Sequence, residues 1–172
     1  MKKMILFSVM LAVLCFQGFG QEKEKNSGQF GLNFESTEIY WLSLSGVSLN
    51  LGLNAGKGMR FELAATYFPL FFEHDGSTVV GFSAAILARV ADSFRLSILV
   101  GPGFRMTGVL YDGESEWTPA ILLKGLVEYR IGAGWGMRAG FTQSLAFPSG
   151  EYDEYDYKQM TSGLEWGFFW RF

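Results

Sequence analysis

The sequence predicts an all-β fold, an eight-stranded antiparallel up-and-down transmembrane β-barrel. Three observations carry this prediction. Apolar residues alternate with polar or small residues along eight segments of the chain. Aromatic residues make up 17% of the 172 residues, and there are 22 glycines. Beyond the amino-terminal segment no apolar run is long enough for a membrane helix, so any crossing must be made by strands.

The amino terminus has the pattern of a secretory signal peptide. Two lysines precede an apolar run over residues 4–16, and Gly18 and Gly20 supply the small residues that a signal peptidase recognises. The run is too short to cross the roughly 30 Å hydrocarbon core of a bilayer. We therefore expect residues 1–20 to be a signal peptide and residues 21–172 to form one outer-membrane barrel domain.

A lipoprotein is the alternative to a cleaved signal peptide, because Cys15 lies near the end of the apolar run. Bulky Leu14 stands before it, where lipidation signals have a small residue. If Cys15 is removed with the signal peptide, the mature chain has no cysteine. It then has no disulfide and no thiolate for catalysis or metal binding.

The strands are found by taking every second residue. Residues 30–34 and 47–53 place apolar side chains outward in the first two strands. Leu42 and Leu44 are out of step with Val47, so we expect a β-bulge near residues 45–46.

Short and long connections alternate along the predicted meander, as in outer-membrane barrels with tight periplasmic turns and longer outer loops. With an even number of strands, both termini are expected in the periplasm. The predicted turns lie near residues 55–58, 91–93 and 132–136, and the predicted loops include residues 69–77, 107–117 and 148–159.

The second face of the strands carries charged residues, hydroxyl residues and glycines. A soluble barrel of the lipocalin kind would turn this face to water, and periodicity alone does not exclude that arrangement. The aromatic residues gather at the strand ends, and two such girdles fit the two interfaces of a membrane. The girdle residues are Trp41, Tyr67, Phe104, Trp117 and Phe147 toward the loops, and Phe61, Phe94, Tyr129, Trp135, Trp170 and Phe172 toward the turns.

The last strand, LEWGFFWRF, alternates aromatic residues and ends in phenylalanine. With the signal peptide and the eight-strand meander, it resembles a small outer-membrane β-barrel of the OmpA transmembrane-domain, OmpX or OmpW type. The resemblance covers essentially the whole mature chain. It implies that the terminal strand faces the membrane and is recognised by the barrel assembly machinery through Leu164, Trp166, Phe168, Trp170 and Phe172.

The resemblance specifies the class of protein and not its function, because this fold hosts adhesins, scaffolds, narrow pores and lipid enzymes. It implies outer-membrane lipids and lipopolysaccharide as surroundings. A surface ligand is a further expected partner, and the oligomeric state is left open. We expect no nucleic-acid partner, since no basic patch is present.

Charged side chains on the inner face are expected to form a lumen cluster. The interior of an eight-stranded barrel is only just wide enough for side chains to fill it, so a salt-bridged plug is one interpretation. The other is a narrow pore for small anions or apolar solutes, lined by an arginine ring near the periplasmic mouth. The expected cluster comprises Arg60, Glu62, Arg89, Arg95, Glu128, Arg130, Arg138, Glu165 and Arg171.

Carboxylates dominate the predicted outer loops. Solvated loops of exported proteins are commonly charged, which is the simplest explanation. Tyrosines alternating with carboxylates also suit contact with a surface ligand, or divalent ions shared with lipopolysaccharide, although the spacing matches no dedicated calcium loop. The acidic residues begin with Glu35 and Glu38, and the candidate binding residues are Glu151, Tyr152, Asp153, Glu154, Tyr155, Asp156 and Tyr157.

A lipid A-modifying enzyme is the second alternative function. His74 is the one histidine of the chain, and Asp75 and Ser77 follow it closely. The pattern of the lipid A deacylases, a histidine and a serine two residues apart on a strand, is not matched, because Gly76 stands two residues after His74. We therefore expect no catalytic site, no cofactor and no dedicated metal site.

Overall fold

The eight predicted strands form a closed antiparallel barrel, in which each strand pairs with the next and the last pairs with the first. The computed structural model describes residues 28–39, 42–56, 58–69, 78–111, 114–147 and 160–172. The strands are β1 Gly28–Ile39, β2 Leu42–Gly56, β3 Met59–Pro69, β4 Thr78–Asp92, β5 Leu96–Tyr111, β6 Glu114–Arg130, β7 Trp135–Ala146 and β8 Met160–Arg171. The described residues include no helix with the length and apolarity needed to cross a membrane.

Two ends of the barrel can be named from its connections. The turn end carries the connections 57–58, 93–95 and 131–134, together with both ends of the described chain. The connection at 57–58 is tight, and Gly56 and Gly58 have φ of 74° and 73°, values that favour glycine. The opposite end is the loop end.

The polarity of the barrel is the reverse of that of a soluble protein. In β3, Phe61 and Leu63 are exposed on the outer face, while Arg60 and Glu62 between them are almost completely buried inside. The same alternation runs along the other strands, and large apolar side chains cover the outer face. Such a surface is stable only against an apolar surrounding, so the outer face fits the hydrocarbon of a membrane.

Aromatic residues border the apolar face at both ends. At the loop end, Phe82 stacks on Trp117 with ring centroids 6.0 Å apart. Trp41 lies outside the described residues. The exposed members of the two predicted girdles are Tyr67, Phe104 and Phe147 at the loop end, and Phe61, Phe94, Tyr129, Trp135, Trp170 and Phe172 at the turn end.

Two of the predicted long loops are instead continuations of strands. β1 and β2 pair as far as Ile39 and Leu42, and β5 and β6 pair as far as Tyr111 and Glu114. The predicted loop at 107–117 is therefore wrong. The apolar alternation fades in these stretches, but a backbone hydrogen-bond ladder does not depend on it and continues beyond the apolar belt.

The predicted bulge near residues 45–46 is also wrong. The pairing of β1 with β2 is continuous there, and register shifts occur instead between Asn54 and Gly56 and between Arg89 and Ala91. Leu44 is out of step because it points into the barrel, where it is buried.

Phe172 extends the ladder between β1 and β8 that closes the barrel. The amide of Gly28 donates to the carbonyl of Phe172 over 3.2 Å, and the amide of Phe172 donates back over 3.0 Å. The ring of Phe172 is 59% exposed on the outer face. Its backbone therefore joins β1 while its side chain stays accessible.

Because the backbone of Phe172 pairs with β1 while its side chain is exposed, the side chain can be tested separately as an assembly signal. We predict that Phe172→Ala keeps the backbone bonds and refolds in detergent like the wild type, yet accumulates several-fold less in the outer membrane of cells. The measurement compares the heat-modifiable band in membrane fractions with the refolded yield of purified protein. Phe61→Ala, an exposed aromatic of the turn end outside β8, is the matched control and should accumulate normally. Normal accumulation of Phe172→Ala would show that the side chain is not part of the signal.

Candidate functional site: the charged lumen

The inside of the barrel holds a balanced set of buried charges. Among the described residues, four carboxylates and four cations are buried. They are Glu35, Glu62, Glu128 and Glu165, and Arg60, Arg105, Lys124 and Arg138. Burying a charge without a partner costs several kcal/mol, so a set of buried charges of both signs stabilises the interior when each charge contacts one of the opposite sign.

Two ion pairs cross the full width of the lumen. In a closed barrel of eight strands, β3 lies opposite β7, and β1 lies opposite β5. The Arg138 guanidinium on β7 is 2.9 Å from a Glu62 oxygen on β3. Arg105 on β5 is 2.8 Å from Glu35 on β1, which also accepts a 2.9 Å hydrogen bond from Thr66. At both levels, side chains from opposite walls meet.

A four-membered ion cluster occupies the middle of the lumen. Lys124 Nζ is 2.8 Å from Glu62 and 3.0 Å from Glu165. Arg138 contacts the same two carboxylates, at 2.9 Å and 3.0 Å. Each cation therefore lies between two carboxylates, and the cluster ties β3, β6, β7 and β8 together.

Glu128 on β6 is the centre of a second group nearer the turn end. It is 2.6 Å from Arg60 and accepts a 2.7 Å hydrogen bond from the amide of Gln29. Arg171 approaches its other oxygen at 3.8 Å. These contacts reach from β6 to β3, β1 and β8 across the lumen.

Apolar side chains fill the rest of the cross-section. One buried cluster lines β4, β5 and β6 and contains Ala85, Leu87, Leu99, Leu122 and Leu126. A second lies near the loop end and contains Leu44, Phe68 and Val79, with Val109 packed against it. The Arg105 guanidinium carbon lies 5.8 Å from the centroid of the Phe68 ring, which joins the second cluster to the charged pair below it.

Glycines on the inner face make room for the long cations. A Cβ atom at Gly52 would lie 2.9 Å from the Arg60 side chain, and one at Gly81 would lie 3.3 Å from the Arg105 guanidinium. Each glycine lies on the strand that neighbours the strand of the cation, and the cation's side chain fills the space above it. At these two positions a larger residue would therefore compete with a buried cation for space.

Arg89 and Arg130 lie at the turn-end rim and not in the central clusters. Both contact Asp92, each at 3.2 Å, and Ser97 donates a 2.6 Å hydrogen bond to the same carboxylate. Of the six arginines expected to form a ring, Arg60 and Arg138 are deeply buried on carboxylates. The ring is thus replaced by separate ion pairs at different depths.

Arg95 does not join the lumen cluster, so its predicted placement is wrong. Arg95 stands two residues before Ser97, whose side chain is buried inside, so strand alternation would place Arg95 inside as well. It lies instead in the β4–β5 turn and is exposed. Its Nη1 is 3.4 Å from the hydroxyl of Tyr129, an outward-facing residue. The strand alternation ends before Arg95, and a turn residue is not bound by it.

Three residues of the site were missed or misplaced by the sequence analysis. Lys124 and Arg105 belong to the inner face by parity but were left out of the expected cluster. Glu35 was assigned to an outer loop, although it continues the inward row of β1 that includes Asn33. Extending the alternation of β1 beyond Phe34 would have placed it inside.

The candidate loop residues 151–157 and His74 lie outside the described residues. Within the described ranges, no group of three His, Cys, Asp or Glu side chains could hold a metal ion. Of the terminal-strand residues, Leu164, Trp166, Phe168 and Trp170 lie in β8, and Phe172 directly follows it. Leu164, Trp166, Trp170 and Phe172 are exposed on the outer face.

The central ion cluster predicts that Glu62 and Lys124 contribute to the free energy of unfolding as a coupled pair. Glu62→Gln leaves two buried cations on Glu165 alone and should destabilise the barrel by about 3–5 kcal/mol. Lys124→Gln should cost a similar amount, since it leaves two carboxylates on Arg138. The double variant restores the balance, so its cost should be smaller than the sum by about 1–3 kcal/mol. Urea unfolding in lipid vesicles, followed by tryptophan fluorescence, measures each free energy.

Glu116→Gln is the matched control, because Glu116 is exposed near the loop end. Its effect should stay within about 0.5 kcal/mol, as for an ordinary surface change. Additive costs of Glu62→Gln and Lys124→Gln would mean that the two side chains do not act as a pair.

Comparisons with known proteins find likeness in structure and not in sequence. No family model matches the chain, and no curated protein matches its sequence. Neisserial surface protein A matches with a TM-score of 0.61 at 14% identity, over 84% of this chain and 96% of that one. The N-terminal β-barrel domain of Pseudomonas aeruginosa OprF matches with a TM-score of 0.54 at 10% identity, over 86% of this chain and all of that one.

A third similar structure is Ail, the attachment invasion locus protein of Yersinia pestis, in complex with the heparin analogue sucrose octasulfate. It matches with a TM-score of 0.55 at 11% identity, over 86% of this chain and 97% of that one. At such identities the likeness concerns the fold alone. The chain has the eight-stranded fold of small outer-membrane β-barrel proteins, which the sequence analysis predicted.

Proposed function

We propose that this protein is an outer-membrane barrel with a closed interior, which acts as an envelope scaffold or surface-binding protein through its outer loops. One observation carries the closed interior. The Glu62–Arg138 and Glu35–Arg105 pairs join opposite walls of the lumen at two depths. An aqueous path along the axis would have to pass side chains that are already in contact with each other.

Energetics favour the closed interior over a pore. Opening a path requires a cross-lumen pair to separate, and each separated charge must then be hydrated inside a barrel that is barely wide enough for side chains. The apolar clusters on β4 to β6 and at the loop end offer no hydrogen bonds to such water. Opening a water-filled path is therefore costly both where it would pass the ion pairs and where it would pass the apolar clusters.

The loops are the remaining surface for a specific activity. Their carboxylates and tyrosines can attract a cationic partner and offer flat contact area to it. The similar structure of Ail holds a sulfated heparin analogue. An acidic loop disfavours such a polyanion, so we propose a partner of the opposite charge for this chain.

Planar-bilayer recording tests the closed interior. We predict that refolded protein, with folding verified by gel mobility before and after boiling, shows no discrete conductance steps. The comparison variant is Glu35→Ala, Arg105→Ala, Glu62→Ala, Arg138→Ala, which removes both cross-lumen pairs with one charge of each sign per pair and should conduct in small steps. Anion-selective steps from the wild type would instead support the narrow pore lined by arginines.

Binding by proteoliposomes tests the loops. We predict that vesicles carrying the protein bind a poly-lysine surface and do not bind a heparin surface. Asp153→Asn, Glu154→Gln, Asp156→Asn should lower the bound fraction several-fold at low salt, since surface electrostatics are screened at high salt. Glu114→Gln, Glu116→Gln removes charges at the loop end outside the tyrosine-rich loop and should have a smaller effect. Equal effects of the two variants would show that the tyrosine-rich loop has no special role.

A further inference from the structure

Arg95 at the turn end is a cation that the lumen does not use. The neighbouring arginines Arg89 and Arg130 both contact Asp92. Among the described residues, no carboxylate lies within ion-pair distance of Arg95. Its charge is therefore directed to something other than the ion pairs of the barrel.

The guanidinium of Arg95 is held by two aromatic residues. It lies 5.9 Å above the ring of Phe94 and 3.4 Å from the hydroxyl of Tyr129. Phe94 is 86% exposed at the tip of the β4–β5 turn, and Tyr129 is 44% exposed on the outer face, directly opposite Leu96 in the strand pairing. A cation–π contact and a hydroxyl fix the side chain toward the outside of the barrel.

Phe94, Arg95 and Tyr129 lie at the turn-end edge of the band of apolar side chains that covers the outer face. Leu96 and Val127 continue the lipid-facing rows of β5 and β6 toward the loop end, and both are exposed. On a barrel in a membrane, a side chain at this height meets the headgroups of the leaflet on the turn side. The strongest acceptor at that depth is the phosphate, and a guanidinium binds phosphate through two parallel hydrogen bonds.

We propose that Phe94, Arg95 and Tyr129 form a binding site for an anionic phospholipid. Arg95 binds the phosphate, the Tyr129 hydroxyl contacts the same group, and the ring of Phe94 supports the guanidinium from its other side. In the outer-membrane topology proposed above, this leaflet is the periplasmic one. The inference rests on that placement in the membrane, but not on the closed interior of the barrel.

Native mass spectrometry of the refolded protein tests the site. The protein is released from micelles that contain equal amounts of phosphatidylglycerol and phosphatidylcholine, and the retained lipid is identified by mass. The wild type should retain phosphatidylglycerol in preference to phosphatidylcholine. Arg95→Gln should retain about tenfold less, as expected for the loss of charge-assisted hydrogen bonds, and Tyr129→Phe should show a smaller loss.

Arg89→Gln is the matched control, since it removes the same charge from the same end of the barrel but from the inner rim. It should retain phosphatidylglycerol like the wild type. Equal retention by the wild type and Arg95→Gln would overturn the proposal, and so would an equal loss in Arg89→Gln. Displacement of the lipid by glycerol phosphate would overturn it in favour of a soluble phosphate ligand. Failure of membrane placement is seen separately, as the absence of a heat-modifiable band in vesicles.

Discussion

The structure depends on the need to neutralise charges that are buried inside a narrow barrel. An eight-stranded barrel has an interior that side chains just fill, so a buried charge cannot keep a full hydration shell there. The described lumen meets this constraint with equal numbers of carboxylates and cations, which contact each other across the axis. The glycines that make room for Arg60 and Arg105 are consistent with this requirement, and so is the closed interior that we propose.

Pairing across the axis also explains why most buried charges and most buried leucines lie on different sides of the lumen. The cations and carboxylates of the central cluster come from β3, β6, β7 and β8, while the buried leucines come from β4, β5 and β6. A charged group that pointed into the leucine cluster would have no partner. Lys124 lies between Leu122 and Leu126 on β6, but its ammonium group reaches Glu62 and Glu165. The inner side chains are therefore mostly polar toward β3, β7 and β8 and mostly apolar toward β4 and β5, with β6 contributing to both parts, although large apolar side chains face outward on all eight strands.

The neighbouring strands β4 and β5 approach each other unusually closely at Gly101. A Cβ atom at Gly101 on β5 would overlap the carbonyl of Ile86 on β4. Pro102 follows in the strand and has no amide hydrogen to donate. Glycine at this position lets β5 lie against β4 where the regular ladder is interrupted, between the pairs Ala85–Gly103 and Ala88–Val100.

The fold was predictable from the sequence because alternation, connection spacing and strand count are local properties. The inward charged residues were largely predictable for the same reason, as Arg60, Glu62 and Arg138 show. Their partners were not, since the contact of Glu62 with Arg138 depends on strand order, register and barrel closure together. The connections β1–β2 and β5–β6 were misjudged as long loops because backbone pairing continues there without an apolar pattern. Arg95 was misplaced because a turn ends the alternation from which its direction was inferred, and the same departure brings its charge to the lipid-facing side.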